Sequence, residues 1–138
     1  MTASAAIGPV DVTAPPASAA ADQHCPGVIS DLPVTLNGSH SRPAHSTSAY
    51  VAAWGDPPMV LRCGVPRPAG FVRTSMVISI DGVQWFTEQK PDAVVWTAVD
   101  RPVYVEVTVP TTYGSAPIAD LSEDLGKALP AQPIKPGA

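Results

Sequence analysis

The sequence predicts an α+β fold in which a mostly antiparallel sheet of about five strands is covered by two or three short helices, with one disulfide. Three observations carry this prediction: an Asp81-Gly82 pair between two β-rich runs, alternating valines at 103–109, and a helical stripe of apolar residues within 115–129. Short connections between the strand segments favour antiparallel pairing, because parallel strands need long crossovers.

The strand predictions follow from alternation and from turn residues. Asp-Gly is typical of a two-residue type I′ turn, which fixes the register of a hairpin. Further strands are expected at 59–63, 93–99 and 103–109, and the valines of the last segment share one buried face. The hairpin register places three cross-strand pairs on the core face: Ile80 with Val83, Ile78 with Trp85, and Met76 with Thr87.

Helices are expected at three places. The segment Ser115–Leu129 begins with a capping serine, carries Pro117 in its first turn, and has an apolar stripe suited to covering the sheet. A second short helix is expected over Ser48–Trp54, ended by Gly55. One or two helical turns are expected between Pro26 and Leu32.

The two ends of the chain predict tails, because they are rich in alanine and proline. Residues 1–23 hold eight alanines and two charged residues, too little to offset the lost backbone entropy of an ordered segment. We expect 1–23 to be a disordered linker, 24–129 a single α+β domain, and 130–138 a disordered tail. The first 20 residues hold no Lys or Arg, so we expect that an upstream signal or anchor was removed.

The composition excludes several classes of partner. The 138 residues hold 12 acidic and 8 basic side chains, for a net charge of −4, which argues against nucleic acid and anionic membranes. No apolar run approaches the roughly 20 residues that cross a bilayer. Nucleotide loops, nucleophile elbows and HExxH motifs are missing from the sequence, so we expect no cofactor, no metal and no recognisable catalytic residue.

Cys25 and Cys63 are the only cysteines. A bridge between them would close a loop of about 38 residues, worth roughly 4 kcal/mol in the chain-entropy account. Two buried free thiols, or a metal or catalytic use, stay open as alternatives. The disulfide is favoured, and it indicates an oxidising compartment outside the cytoplasm.

A candidate binding face combines arginines with aromatic side chains: Trp54, Arg62, Trp96, Arg101 and Tyr104. Arginine with tryptophan or tyrosine is the usual composition of a binding hot spot. In the structural alternative, each guanidinium pairs with a turn carboxylate such as Asp56 or Asp100 and stacks on an aromatic ring.

The block Ala-Trp-Gly-Asp-Pro-Pro-Met-Val-Leu-Arg-Cys-Gly-Val at 53–65 is the most specific motif of the chain. With Cys25, Arg42 and the segment 101–107, it resembles an actinobacterial family of secreted or membrane-anchored proteins, domain of unknown function 3515. The resemblance covers most of residues 24–113. It implies an envelope location, a Cys25–Cys63 bridge and a membrane link only through an N-terminal segment, and it implies no activity.

The function that these features favour is non-enzymatic. One compact domain without a catalytic constellation indicates an envelope module that binds a partner protein or a cell-wall component. The alternative is a hydrolase or transferase that acts on a wall component through an acid pair such as Asp56 with Glu106. Two carboxylates within about 5–10 Å in a cleft would favour the enzyme.

Overall fold

The computed structural model describes residues 8–135, so parts of both predicted tails, 1–7 and 136–138, lie outside the described residues. Two α-helices, a short 3₁₀ turn at Thr111–Tyr113 and ten strands make up the described chain. The helices are α1 (Ala19–Ser30) and α2 (Ala116–Ala128). The strands are β1 (Val10–Asp11), β2 (Thr35–Leu36), β3 (Ser39–Arg42), β4 (Ala44–His45), β5 (Val51–Trp54), β6 (Met59–Val65), β7 (Ile78–Ile80), β8 (Val83–Gln89), β9 (Ala93–Ala98) and β10 (Tyr104–Pro110).

Eight strands form one antiparallel sheet in the order β2-β3-β5-β6-β10-β9-β8-β7. The α+β class and the antiparallel pairing are therefore confirmed. The expected count of about five strands is too low, because β2, β3 and β5 have only two to four residues each and show little alternation in sequence. The described chain has two α-helices. One lies in the predicted segment 115–129, and the other contains the turns expected after Pro26 but begins already at Ala19.

The helices cover one face of the sheet and bury the main core. The alternating valines of β10 point into this core, as the sequence predicts, and so do Leu61 of β6 and Trp85 of β8. Cys25 of α1 is bonded to Cys63 of β6, with Cα atoms 5.8 Å apart. This confirms the disulfide and shows its role, which is to join the first helix to the centre of the sheet.

The hairpin at Asp81-Gly82 has the predicted register. Both turn residues have positive φ, 48° and 86°, as a type I′ turn requires, and Ile80 lies opposite Val83. The predicted burial of this face is found for Val83 and Trp85 but is wrong for Ile78, which is 45% exposed. The third predicted pair is also wrong. Met76 precedes β7 and is 87% exposed, because the ladder to β8 begins only at Ile78.

The predicted helix at Ser48–Trp54 is also wrong, because Val51–Trp54 is the strand β5. The two serines do cap backbone groups there, but within a turn: Ser46 Oγ accepts from the N–H of Ser48, and Ser48 Oγ from that of Tyr50. The chain then turns through 55–58 and pairs β5 with β6. In α2, by contrast, the predicted start at Ser115 and the apolar stripe are both found. The Ser115 side chain does not cap the helix as predicted, and only its backbone C=O accepts, from the N–H of Ile118.

Residues 8–23 are part of the fold, which starts earlier than the expected boundary at 24. Helix α1 begins after Ser18, whose Oγ accepts from the N–H of Ala21 at 3.0 Å. Upstream of it, β1 pairs in parallel with β4. Val10 and Val12 are buried against the sheet, so apolar burial adds to the strand pairing in holding this segment.

Candidate functional site

The sheet has a second face, opposite the helices, which we call the outer face and define by Val60, Arg62, Glu106 and Thr108. Strand register brings these four together, because Arg62 lies opposite Glu106 and Val60 lies opposite Thr108. The N-terminal segment 11–13 runs beside them. A groove of about 410 Å³ lies between that segment and the outer face.

Arg62 forms a two-pronged ion pair with Glu106 on the floor of this groove. Its Nε donates to Oε1 at 2.8 Å and its Nη2 to Oε2 at 3.2 Å. Its Nη1 donates to the carbonyl oxygen of Thr13 at 3.2 Å. Both charged side chains are only 22% exposed, so a single guanidinium links two strands to the N-terminal segment.

Arg101 has a structural partner of the predicted kind. Its Nη1 lies 3.2 Å from Oδ2 of Asp100, and both side chains are buried. The same guanidinium donates to the carbonyl oxygen of Gly82 at 3.4 Å, and Asp100 Oδ1 accepts from the N–H of Gln84. This pair therefore fastens the chain after β9 to the hairpin turn, and it does not face a ligand.

The candidate binding face does not come together as one surface. Trp54 is buried and its Nε1 donates to the carbonyl oxygen of Pro33 at 2.9 Å. Trp96 is buried beside Trp85, with the rings edge to face at 6.3 Å between centroids. Of the five residues, Arg62 and Tyr104 are half-buried, and these two are the ones that a ligand on the outer face could touch.

The carboxylates do not form the acid pair of the enzyme alternative. Asp56 lies in the turn that follows the end of β5. Glu106 of β10 pairs with Arg62 of β6, which in turn pairs with Val51 at the start of β5. The last pair of β5 and β6 before the turn is Trp54 with Met59. Trp54 is three residues beyond Val51, which puts the turn about 10 Å along the sheet from the level of Glu106. Glu106 is also held by Arg62, so neither acid is placed to share a reaction centre.

Two titratable groups have shifted pKa values, and neither lies in the groove. Burial on α2 raises the pKa of Asp124, and the neighbouring acids Glu123 and Asp120 add to this while Lys127 opposes it. The hydrogen bond from Tyr50 Oη to Asp22 Oδ1, 2.8 Å long, raises the pKa of the phenol. Within residues 8–135, no three His, Cys, Asp or Glu side chains converge as metal ligands.

Sequence reasoning missed two residues that build the site. Arg42 donates from Nε to the carbonyl oxygen of Gly8 at 3.0 Å and from Nη1 to that of Gly55 at 2.7 Å. It thereby holds the N-terminal segment in place. Glu106 was expected only as half of a catalytic pair, and its real partner is 44 residues away. Opposite charges on the polar positions of β6 and β10 are the one signal for this pairing.

Comparison with known proteins gives one match. The model of a family described as "Protein of unknown function (DUF3515)" matches residues 1–134. The chain belongs to the DUF3515 family. The comparison with curated proteins and the comparison with solved structures found no match. No helix in the described part of this DUF3515 chain is long and apolar enough to cross a membrane.

Proposed function

We propose that this DUF3515 domain is a non-catalytic module of the cell envelope, which binds a wall component or a partner protein through the groove on its outer face. The observation that carries the proposal is the floor of the groove, where Arg62, Glu106 and Thr108 line a cavity together with the N-terminal segment. Tyr104 follows on the same side of β10. A tyrosine and an arginine on one face of a sheet are the composition that binding surfaces favour.

The location of the module is supported by its covalent chemistry. Both sulfur atoms belong to fully buried cysteines, and protein disulfides persist in oxidising compartments.

The ion pair of Arg62 with Glu106 already fills the strongest hydrogen-bonding positions of both side chains. The ligand is therefore expected to contact the rim of the pair and the hydroxyl and ring beside it, and not to replace the pair.

The test for a wall component is co-sedimentation of the purified chain with insoluble peptidoglycan. We expect the native chain to pellet, and Tyr104→Ala and Thr108→Lys to reduce the pelleted fraction at unchanged thermal stability. Thr112→Lys is the matched control, because Thr112 is exposed outside the groove. It should pellet like the native chain.

The test for a partner protein uses a photo-crosslinking residue at position 108 and, as control, at position 112 in intact cells. A crosslinked product specific to position 108, lost in Tyr104→Ala, supports a protein ligand. If peptidoglycan is not bound and both positions give the same products or none, the proposed groove function is wrong.

A further inference from the structure

The free edge of β7 is short, with three residues, but its sequence lacks the charges and prolines that usually block a sheet edge. The segment 75–80, Ser-Met-Val-Ile-Ser-Ile, holds no charge, no proline and no glycine, and β7 is the last strand of the sheet. Sheet edges are usually blocked by charges, prolines or bulges, because their unpaired backbone groups attract another strand. Met76 and Ile78 are 87% and 45% exposed beside this edge.

The backbone groups on the outer side of β7 are free to pair. Ile80 and Val83 flank a two-residue turn and form the first hydrogen-bonded pair of the hairpin, so Ser79 and Gln84 form the next, non-bonded pair. The contacts of Gln84 agree with this, since its N–H and C=O bond to Asp100 and Val99 on the other side. The N–H and C=O of Ser79 therefore point away from the sheet. Val77 directly precedes β7, and extending the strand by this one residue would give its N–H and C=O the same direction.

The charges at the ends of this segment are complementary to those of a second copy. Arg73 stands before it and Asp81 after it, both are exposed, and neither has an ionic partner in the described residues. In an antiparallel pair of identical segments, the cation of each copy faces the anion of the other. With Val77 on the two-fold axis, Met76 of each copy lies opposite Ile78 of the other, so both exposed apolar residues become covered.

We propose that β7 is a homodimer interface, in which two copies of the chain pair antiparallel along residues 75–79 and join their sheets into one. Ser75 offers only its C=O to this pairing, because its N–H is bonded to the C=O of Val72. The arrangement is a closed two-fold contact, because each edge is used once and the partner is identical. A short edge contact buries little surface, so the dimer is expected to be weak and dependent on protein concentration.

Sedimentation equilibrium of the full chain over a concentration series tests this proposal. We expect the average mass to rise from 14.2 kDa toward twice that value and to stop there. Met76→Lys and Arg73→Glu should keep the chain monomeric, because they place a charge on the edge or reverse the cation. Val34→Lys is the matched control, since Val34 is an exposed apolar residue outside β7, and it should dimerise like the native chain.

Amide hydrogen exchange at low and high protein concentration gives an independent readout. Exchange at Val77 and Ser79 should slow as the concentration rises, whereas Ile78 and Ile80, already bonded to β8, should change little. Because even a weak dimer with a dissociation constant of about 1 mM would be detectably populated at that protein concentration, a chain that stays monomeric up to about 1 mM would overturn the proposal. So would assemblies larger than two, or equal loss of the dimer in Met76→Lys and Val34→Lys.

Discussion

Gly64 decides how closely the first helix approaches the sheet. It has a φ of 91°, and a Cβ atom there would lie 2.8 Å from the Cβ of Ala21 and 3.5 Å from the Sγ of Cys25. It also sits at the register shift between β6 and β10, where Cys63 and Val65 have partners and Gly64 has none. A glycine with positive φ at a bulge is what lets the chain bend there, and the disulfide lies directly beside it.

Gly64→Ala is expected to cost about 2–4 kcal/mol of unfolding free energy, from left-handed backbone strain and overpacking against α1. Gly27→Ala is the matched control, because nothing lies within 4 Å of that site in α1. It should stabilise the protein by about 0.5–1 kcal/mol. Urea unfolding of both variants is the measurement, and a neutral Gly64→Ala would show that the helix does not approach this closely.

Single residues also show where sequence reasoning stops. The ion pair of Arg101 could be predicted, since its partner Asp100 is the adjacent residue. The ion pair of Arg62 could not be predicted, because Glu106 lies 44 residues away and the two meet only once β6 and β10 are neighbours. Trp54 and Trp96 are typical of both cores and binding sites, and only packing shows that both are buried here.

Secondary-structure elements were predictable where a local signal and the final packing agree. The alternating valines of β10 and the Asp-Gly turn each specify an element within a few residues. The prediction of a helix at Ser48–Trp54 was wrong because serines cap turns as well as helices. The prediction of a disordered N-terminal segment did not anticipate the packing of Val10 and Val12, because their buried partners Val51 and Ala53 are distant in sequence.

The packing of the N-terminal segment is open to a direct test. Val12→Ala should cost about 1.5 kcal/mol, because it removes two buried carbon groups. Asp11→Ala should change stability by less than about 0.5 kcal/mol, since the Asp11 side chain is 92% exposed and its contact is an exposed hydrogen bond with His45 Nδ1. Thermal or urea unfolding separates the two, and equal, negligible effects would restore the linker interpretation of residues 8–17.

At the scale of the whole molecule, the fold is one sheet with a helix-covered face and an outer face. The helix-covered face holds the disulfide and the largest buried side chains. The outer face carries the Arg62–Glu106 pair and the groove, and the β7 edge lies at the far side of the same sheet. Binding through the groove and pairing through the edge use separate surfaces, so they do not compete.

The disulfide links this architecture to its compartment, since a buried bridge between α1 and β6 is expected only where the chain folds under oxidising conditions. Its removal in Cys63→Ser should cost roughly 2–5 kcal/mol. The most direct test of an envelope domain held by this bridge is to alkylate free thiols while cells are lysed in denaturant, which exposes the otherwise buried Cys25 and Cys63, and to analyse the chain by mass spectrometry. The account predicts that Cys25 and Cys63 are unmodified until the chain is reduced, and that they appear in one crosslinked peptide pair. Alkylation of both cysteines before reduction would contradict it.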